Sequence, residues 1–170
     1  KAFGTSSIMF GDDATGTIDA ANNNTGVGVD VFAALTTGDN NVAVGSAALD
    51  ANTTGGSSVA AGYGALGANT TGGNNTALGH STLAANTTAA NNVAVGHEAL
   101  TANTTGEYNV AVGAAAGDAL TTGSVNTAVG YNTLGVATTA ANNTALGGQA
   151  LAITTSGASN TAVGQNAMVA

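Results

Sequence analysis

The sequence predicts an all-β protein: a β-solenoid (a parallel β-helix or β-roll) of about ten 17-residue coils, forming a single domain over residues 1–170. Three observations predict it. Glycine returns every seventeenth residue, at Gly11, Gly28, Gly45, Gly62, Gly79, Gly96, Gly113, Gly130, Gly147 and Gly164, with no insertion or deletion between copies. Seventeen residues are too few for a helical-hairpin repeat, which needs about 33 or more. The residues that fill the repeat, Gly, Asn, Thr and Val, all disfavour helix interiors.

Counting Ser7 as the first position, the consensus reads N-[TV]-A-[VL]-G-x-x-A-L-x-A-N-T-T-G-x-N. Positions one to five, as in "NVAVG" at 92–96 and again at 109–113, supply a short strand. Its second and fourth residues face one side and its third, Ala, faces the other. Neither side is charged, so one face is expected over the core and the other either dry against another chain or, as an Ala column, left exposed to water. The fifth-position glycines and the Asn positions form corners where positive φ is tolerated. The stretch around the ninth-position leucines (Leu49, Leu66, Leu83, Leu100, Leu134, Leu151) is expected to form a second strand. Val, Leu and Ala columns together then line the interior, and Asn columns at the first and last positions form amide ladders. Identical residues stack about 4.8 Å apart, and a one-residue slip would turn every inward side chain out. Residues 160–170 fill the first eleven positions of a coil and residues 1–6 the remaining six, so partial coils at the two ends complete one repeat and predict end-to-end stacking.

Composition narrows function. The chain has one Lys, no Arg, no Cys, no Pro and a net charge of -8. Such a surface repels phosphate, so nucleic acid and anionic membranes are poor partners. Absence of Cys removes thiol catalysis, disulfides and Cys-based metal sites. No apolar run is long enough to span a bilayer. A single Lys leaves trypsin-like proteases almost nowhere to cut.

Candidate chemistry is sparse. His80 and His97 share the sixth position of adjacent coils and are expected to stack with Tyr63, either as a metal-binding pair or as a variable outward corner. Ser81 beside His80 lacks a third, orienting group, so no hydrolytic triad forms. Asp13 and Asp30 share the seventh position and Asp12 precedes Asp13, giving either an oxygen-only calcium site or a solvated rim. Otherwise no cofactor is expected. The Thr-Thr pairs, such as Thr53 and Thr54, offer one outward Thr column, an ice- or glycan-binding candidate or a hydroxyl ladder at a turn. Candidate glycosylation sequons stand at Asn23, Asn52, Asn69, Asn74, Asn86, Asn103 and Asn142, with a turn role for Asn as the alternative.

"NTALGHSTLAANTTAAN" (75–91) and "NTAVGYNTLGVATTAAN" (126–142) resemble the tandem "NTALGxxAL" repeats of phage tail-fibre-like proteins, many of which carry a C-terminal self-cleaving chaperone domain. More distantly they resemble the β-roll heads of trimeric autotransporter adhesins. The resemblance implies an extracellular, cell-surface or virion-borne fibre, a homo-oligomer that is often trimeric, with no catalytic residues. The expected function is therefore that of a non-enzymatic structural subunit of a fibre, pilus-like filament or adhesin, whose partners are copies of itself and a surface receptor or glycan. The alternative is a solenoid that binds ice or glycans through a Thr/Asn face.

Overall fold

A computed structural model describes residues 8–10 and 20–169. Ten three-residue strands follow one another: β1 Ile8–Phe10, β2 Thr25–Val27, β3 Val42–Val44, β4 Val59–Ala61, β5 Thr76–Leu78, β6 Val93–Val95, β7 Val110–Val112, β8 Thr127–Val129, β9 Thr144–Leu146 and β10 Thr161–Val163. They form one parallel sheet in chain order. Val93 pairs with Thr76 on one side and with Val110 on the other, so the sequence period is the sheet register. The fold is the expected β-solenoid, and no helix occurs among the described residues.

Backbone hydrogen bonds run along the solenoid axis all the way round each coil. In the strand, the Val93 N–H donates to the Asn109 carbonyl at 2.8 Å. Away from it, Leu100 N–H donates to Ala116 O at 3.0 Å and Thr104 N–H to Thr121 O at 2.8 Å. A chain this thin could not satisfy its amides within one coil, so each coil completes its neighbours.

The expected second strand is absent among the described residues. The stretch carrying the ninth-position leucines makes two consecutive turns, closed by Ala99 N–H to Gly96 O and Asn103 N–H to Leu100 O. The reason lies in φ: Glu98 stands at 57° and Leu100 at 51°, and left-handed residues cannot continue a strand. Placing Leu there costs about 1–2 kcal/mol. Fully burying its side chain returns about 1.5–3 kcal/mol, which offsets the strain. Leu49, Leu66, Leu83, Leu100, Leu134 and Leu151 are all 0% exposed.

The strand's orientation also corrects the expectation that Val columns line the interior. The third-position alanines from Ala43 to Ala145 are buried, whereas Val42, Val44, Val93, Val110, Val112 and Val129 face outward. The leucines fill the lumen and leave room for a methyl group only. Where the ninth residue grows to Phe32, the third shrinks to the buried Gly26.

The fifth-position glycines sit at φ between 119° and 142° from Gly28 to Gly164, a region closed to residues with a Cβ. A Cβ on Gly96 would also lie 2.5 Å from the Gly113 carbonyl oxygen. Backbone conformation and coil-to-coil contact both demand Gly here. Gly11 lies outside the described residues.

Asparagine ladders lock the columns. Asn92 N–H donates to Asn75 Oδ1 and Asn109 N–H to Asn92 Oδ1, both at 2.9 Å. Asn92 Nδ2 meanwhile donates to the Gly106 carbonyl at 2.9 Å, which closes its own coil. The last-position ladder scarcely exists: Asn23 Nδ2 donates to Asn40 Oδ1 at 3.3 Å, in the open. That column instead supplies left-handed corners, as at Asn40 and Asn91 (both φ 61°). The interior holds a different ladder. Asn69, Asn86 and Asn103, at the twelfth position, each donate to the Oδ1 one coil back, at 3.0, 2.9 and 3.1 Å.

Candidate functional site

The sheet puts its apolar, β-branched residues on one outward face. Along it run the second-position column (Val42, Val59, Thr76, Val93, Val110, Thr127) and the fourth-position column (Val27, Val44, Leu78, Val112, Val129). Val59, Leu78, Val93 and Val129 are each 37% exposed and Val110 36%, within one repeated strand register. The strands carry no ionisable residue. The described acids, Asp30, Asp39, Asp50, Glu98, Glu107 and Asp118, sit at positions six to eleven or sixteen of their coils, off the sheet.

The corner beyond the fifth-position glycine carries an aromatic column. Tyr63 stacks on His80 and His80 on His97, both with centroids 5.2 Å apart and interplanar angles of 23° and 16°. The stacking anticipated from the shared sixth position is thus present. His97 Nδ1 lies 3.6 Å from Glu98 Oε2, with both side chains well exposed. Ring-nitrogen lone pairs lie in the ring planes, and nearly parallel planes do not converge on one ion. Among the described residues, no three His, Asp or Glu side chains gather into a metal-ligating group.

Of the candidate calcium ligands, Asp12 and Asp13 lie outside the described residues. Asp30 is exposed on a left-handed turn at φ 55°. Its charge adds to burial in raising the Asp50 carboxyl above its ordinary range, burial being the larger cause. Asp118 is raised too, chiefly by burial and secondarily by Glu98. The amides of Ala119 and of Asp118 itself oppose that shift, but the buried Oδ1 of Asp118 has no hydrogen-bond partner.

The two threonines of each pair part company as the alternation requires. Thr53, Thr70, Thr87 and Thr104 hydroxyls donate to the carbonyl of the matching Thr one coil on, at 2.9–3.2 Å for the column as a whole. Their neighbours Thr54, Thr71, Thr88, Thr105 and Thr122 are exposed, as a single column.

The sequons divide sharply. Asn52, Asn69, Asn86 and Asn103 are 0% exposed, and their Nδ2 atoms, which a glycan would need, donate to buried carbonyl groups. The folded coil does not present them for modification, contrary to the sequon reading. Asn23, Asn74 and Asn142 are exposed, each on a left-handed corner.

Sequence reasoning missed the twelfth-position ladder because N-T-T reads equally as a turn or a sequon. It also missed a local exchange in the coil starting at Asn109, where Gly117 occupies the ninth position and Leu120 the twelfth. Leu120 is fully buried and takes over the volume that the ninth-position Leu fills elsewhere. The ladder stops there, leaving Asn103 Oδ1 buried without a partner. The signal was a Leu displaced by three positions inside an otherwise unbroken phase. Compared with known proteins, the chain matches no family model, no curated protein and no solved structure.

Proposed function

We propose that this chain is a structural segment of an extracellular or virion-borne fibre shaft, mechanical rather than catalytic in its work. One observation carries the reading: from β1 to β10 every strand pairs in the same register with the next, and hydrogen bonds around each coil run along the axis. A further coil, from this chain or another, would therefore add the same contacts again, so length is extensible without a new kind of interface. Ten coils at the parallel-strand spacing span about 48 Å. Tension along the axis would load many backbone hydrogen bonds together. The single Lys, with no Arg, adds resistance to trypsin-like proteases.

The test is electron microscopy and fibre diffraction on the purified chain across a range of concentrations. Rods much longer than about 48 Å, with a reflection near 4.8 Å along the rod, are the expected result. Particles of single-chain length at every concentration would refute self-extension into a fibre.

A further inference from the structure

We propose that the outward face of the ten-stranded sheet is a self-pairing surface, through which two copies of this chain meet face to face about a two-fold axis. The inference deepens the fibre reading, on which it rests for calling the contact a bundling contact. The pairing itself can be measured apart from fibre formation.

Charge selects the occupant. The chain carries -8, and its one cationic side chain is Lys1. Two copies approaching through their acid-bearing corners repel, whereas the sheet face has no ionisable residue and brings no like charges together. A cationic partner would be drawn to the acidic corners and gain nothing from the sheet.

Periodicity selects a copy over a globular partner. The face is a ladder of methyl-bearing side chains repeating about every 4.8 Å, and only a partner of the same period can interlock at every coil at once. A second copy has that period. A two-fold arrangement uses the same surface on both partners and closes the pair, so growth across the sheet stops at two. The packed sheets would lie about 10 Å apart, a distance that Val and Thr side chains fill.

Area decides whether the contact is enough. Val27, Val42, Val44, Val59, Val93 and Val110 are 36–42% exposed, while Thr25, Ala61, Thr76, Val95 and Leu146 in the same columns are less so. Ten coils then offer roughly 600 Å² or more of apolar surface per copy, or about 1,200 Å² per pair, the lower bound for stable interfaces. A solenoid of half the coils would fall well short.

The chain contains no Cys, so single cysteines report proximity cleanly. Analytical ultracentrifugation of the full chain should show a concentration-dependent dimer. Val93→Lys with Val110→Lys, both at exposed positions, should raise its dissociation constant at least 100-fold while circular dichroism stays unchanged. Val93→Cys on β6, near the middle of the face, should form a disulfide-linked dimer under mild oxidation, and Thr105→Cys on the exposed Thr column should not. A monomer at a hundred micromolar, or a dimer indifferent to the double Lys variant, overturns the pairing. Microscopy separates the two readings: rods one solenoid wide overturn pairing and leave the fibre standing, whereas isolated pairs without rods do the reverse.

Discussion

Restoring the common pattern to the coil that begins at Asn109 tests whether the interior columns act as units. The perturbation is the double exchange Gly117→Leu with Leu120→Asn, compared with each single change. Leu120→Asn alone removes a fully buried Leu, a loss of about 2–5 kcal/mol. It would regain a hydrogen bond to the unpaired Asn103 Oδ1, but the new side-chain oxygen at residue 120 is orphaned in turn, so the net cost stays about 2–5 kcal/mol. Gly117→Leu alone sets a Cβ 3.0 Å from both Leu100 Cδ2 and Leu120 Cδ1. Overpacking of that kind costs about 1–3 kcal/mol. Backbone conformation does not forbid the change: Gly117 stands at φ 61°, close to the 51–53° at which other coils hold Leu.

Together the changes recreate the arrangement of the four preceding coils. The unpaired acceptor is not removed; it moves to residue 120, opposite Ala137, so the number of orphaned atoms stays the same. The double variant should therefore lie within about 1 kcal/mol of the natural chain, with a coupling energy of about 3 kcal/mol or more, at or above the upper end for residues in contact. Urea unfolding followed by circular dichroism measures all three, with the m-value checked because repeat proteins can lose two-state behaviour. If the two single costs simply add, within about 0.5 kcal/mol, the volume exchange between positions nine and twelve is refuted.

Gly96→Ala places a Cβ at φ 133° and 2.5 Å from the Gly113 carbonyl oxygen, and should cost at least about 3 kcal/mol, or roughly 6 °C or more in Tm. Its control is Gly64→Ala, at φ 62° with nothing within 4 Å of the added methyl, where only the left-handed cost of about 1–2 kcal/mol applies, a conformation that Ala47 and Ala115 already hold. Equal melting temperatures for the two variants would show that the fifth-position column is not conformationally required. Asp118→Asn tests the buried carboxyl. A folded-state pKa raised by burial means that Asp118 favours folding below the ordinary Asp range, and that this contribution is lost as pH rises through the raised value. The Asn variant should therefore be the more stable at neutral pH, with the difference vanishing in acid. Urea midpoints at pH 7 and pH 3 that differ by the same amount would contradict the burial argument.

The strand, its register and the corner glycines were legible because each depends on one residue type recurring at one spacing. Gly28 to Gly164 needed no knowledge of what they touch. Orientation was less legible, because Val95 and Ala94 are both apolar and only the volume of the leucine across the lumen decides which turns inward. The second strand expected around Leu100 failed for a related reason. Its propensity permits a strand, but tertiary burial holds it at φ 51°, a conformation that propensity alone argues against. The ladder through Asn52 and Asn103 was hidden because the same three letters also spell a turn and a glycosylation signal. The aromatic column of Tyr63, His80 and His97 was readable in advance, since stacking needs only a shared position and the coil spacing.

Interior and exterior positions face different rules, and this bears on where function can reside. An interior residue packs against copies of itself in the coils before and after, so a substitution must suit two neighbours as well as its own coil. Phe32 with Gly26, and Leu120 with Gly117, are compensated pairs, although Leu35 stands at the twelfth position beside Phe32 and Ala137 beside Leu134. The sixth position is freer: although Tyr63, His80 and His97 stack there, it holds Val29, Ser46, Tyr63, His80, His97, Ala114, Tyr131, Gly148 and Gln165 in successive coils. The second and fourth positions also face solvent, though less openly, and from β2 to β10 they hold only Val, Thr, Leu or Ala, with Ile8 and Phe10 at the same positions of β1. Exposure alone would have admitted Lys, Glu or Asn there, as it admits His and Gln at the corner. The restriction is not imposed by the core, which those side chains do not enter. High strand propensity favours Val and Thr but leaves Tyr, Phe and Ile equally acceptable. A surface that must lie flat against another of the same period excludes charges, which ties the uncharged alphabet of this face to the pairing inferred for it.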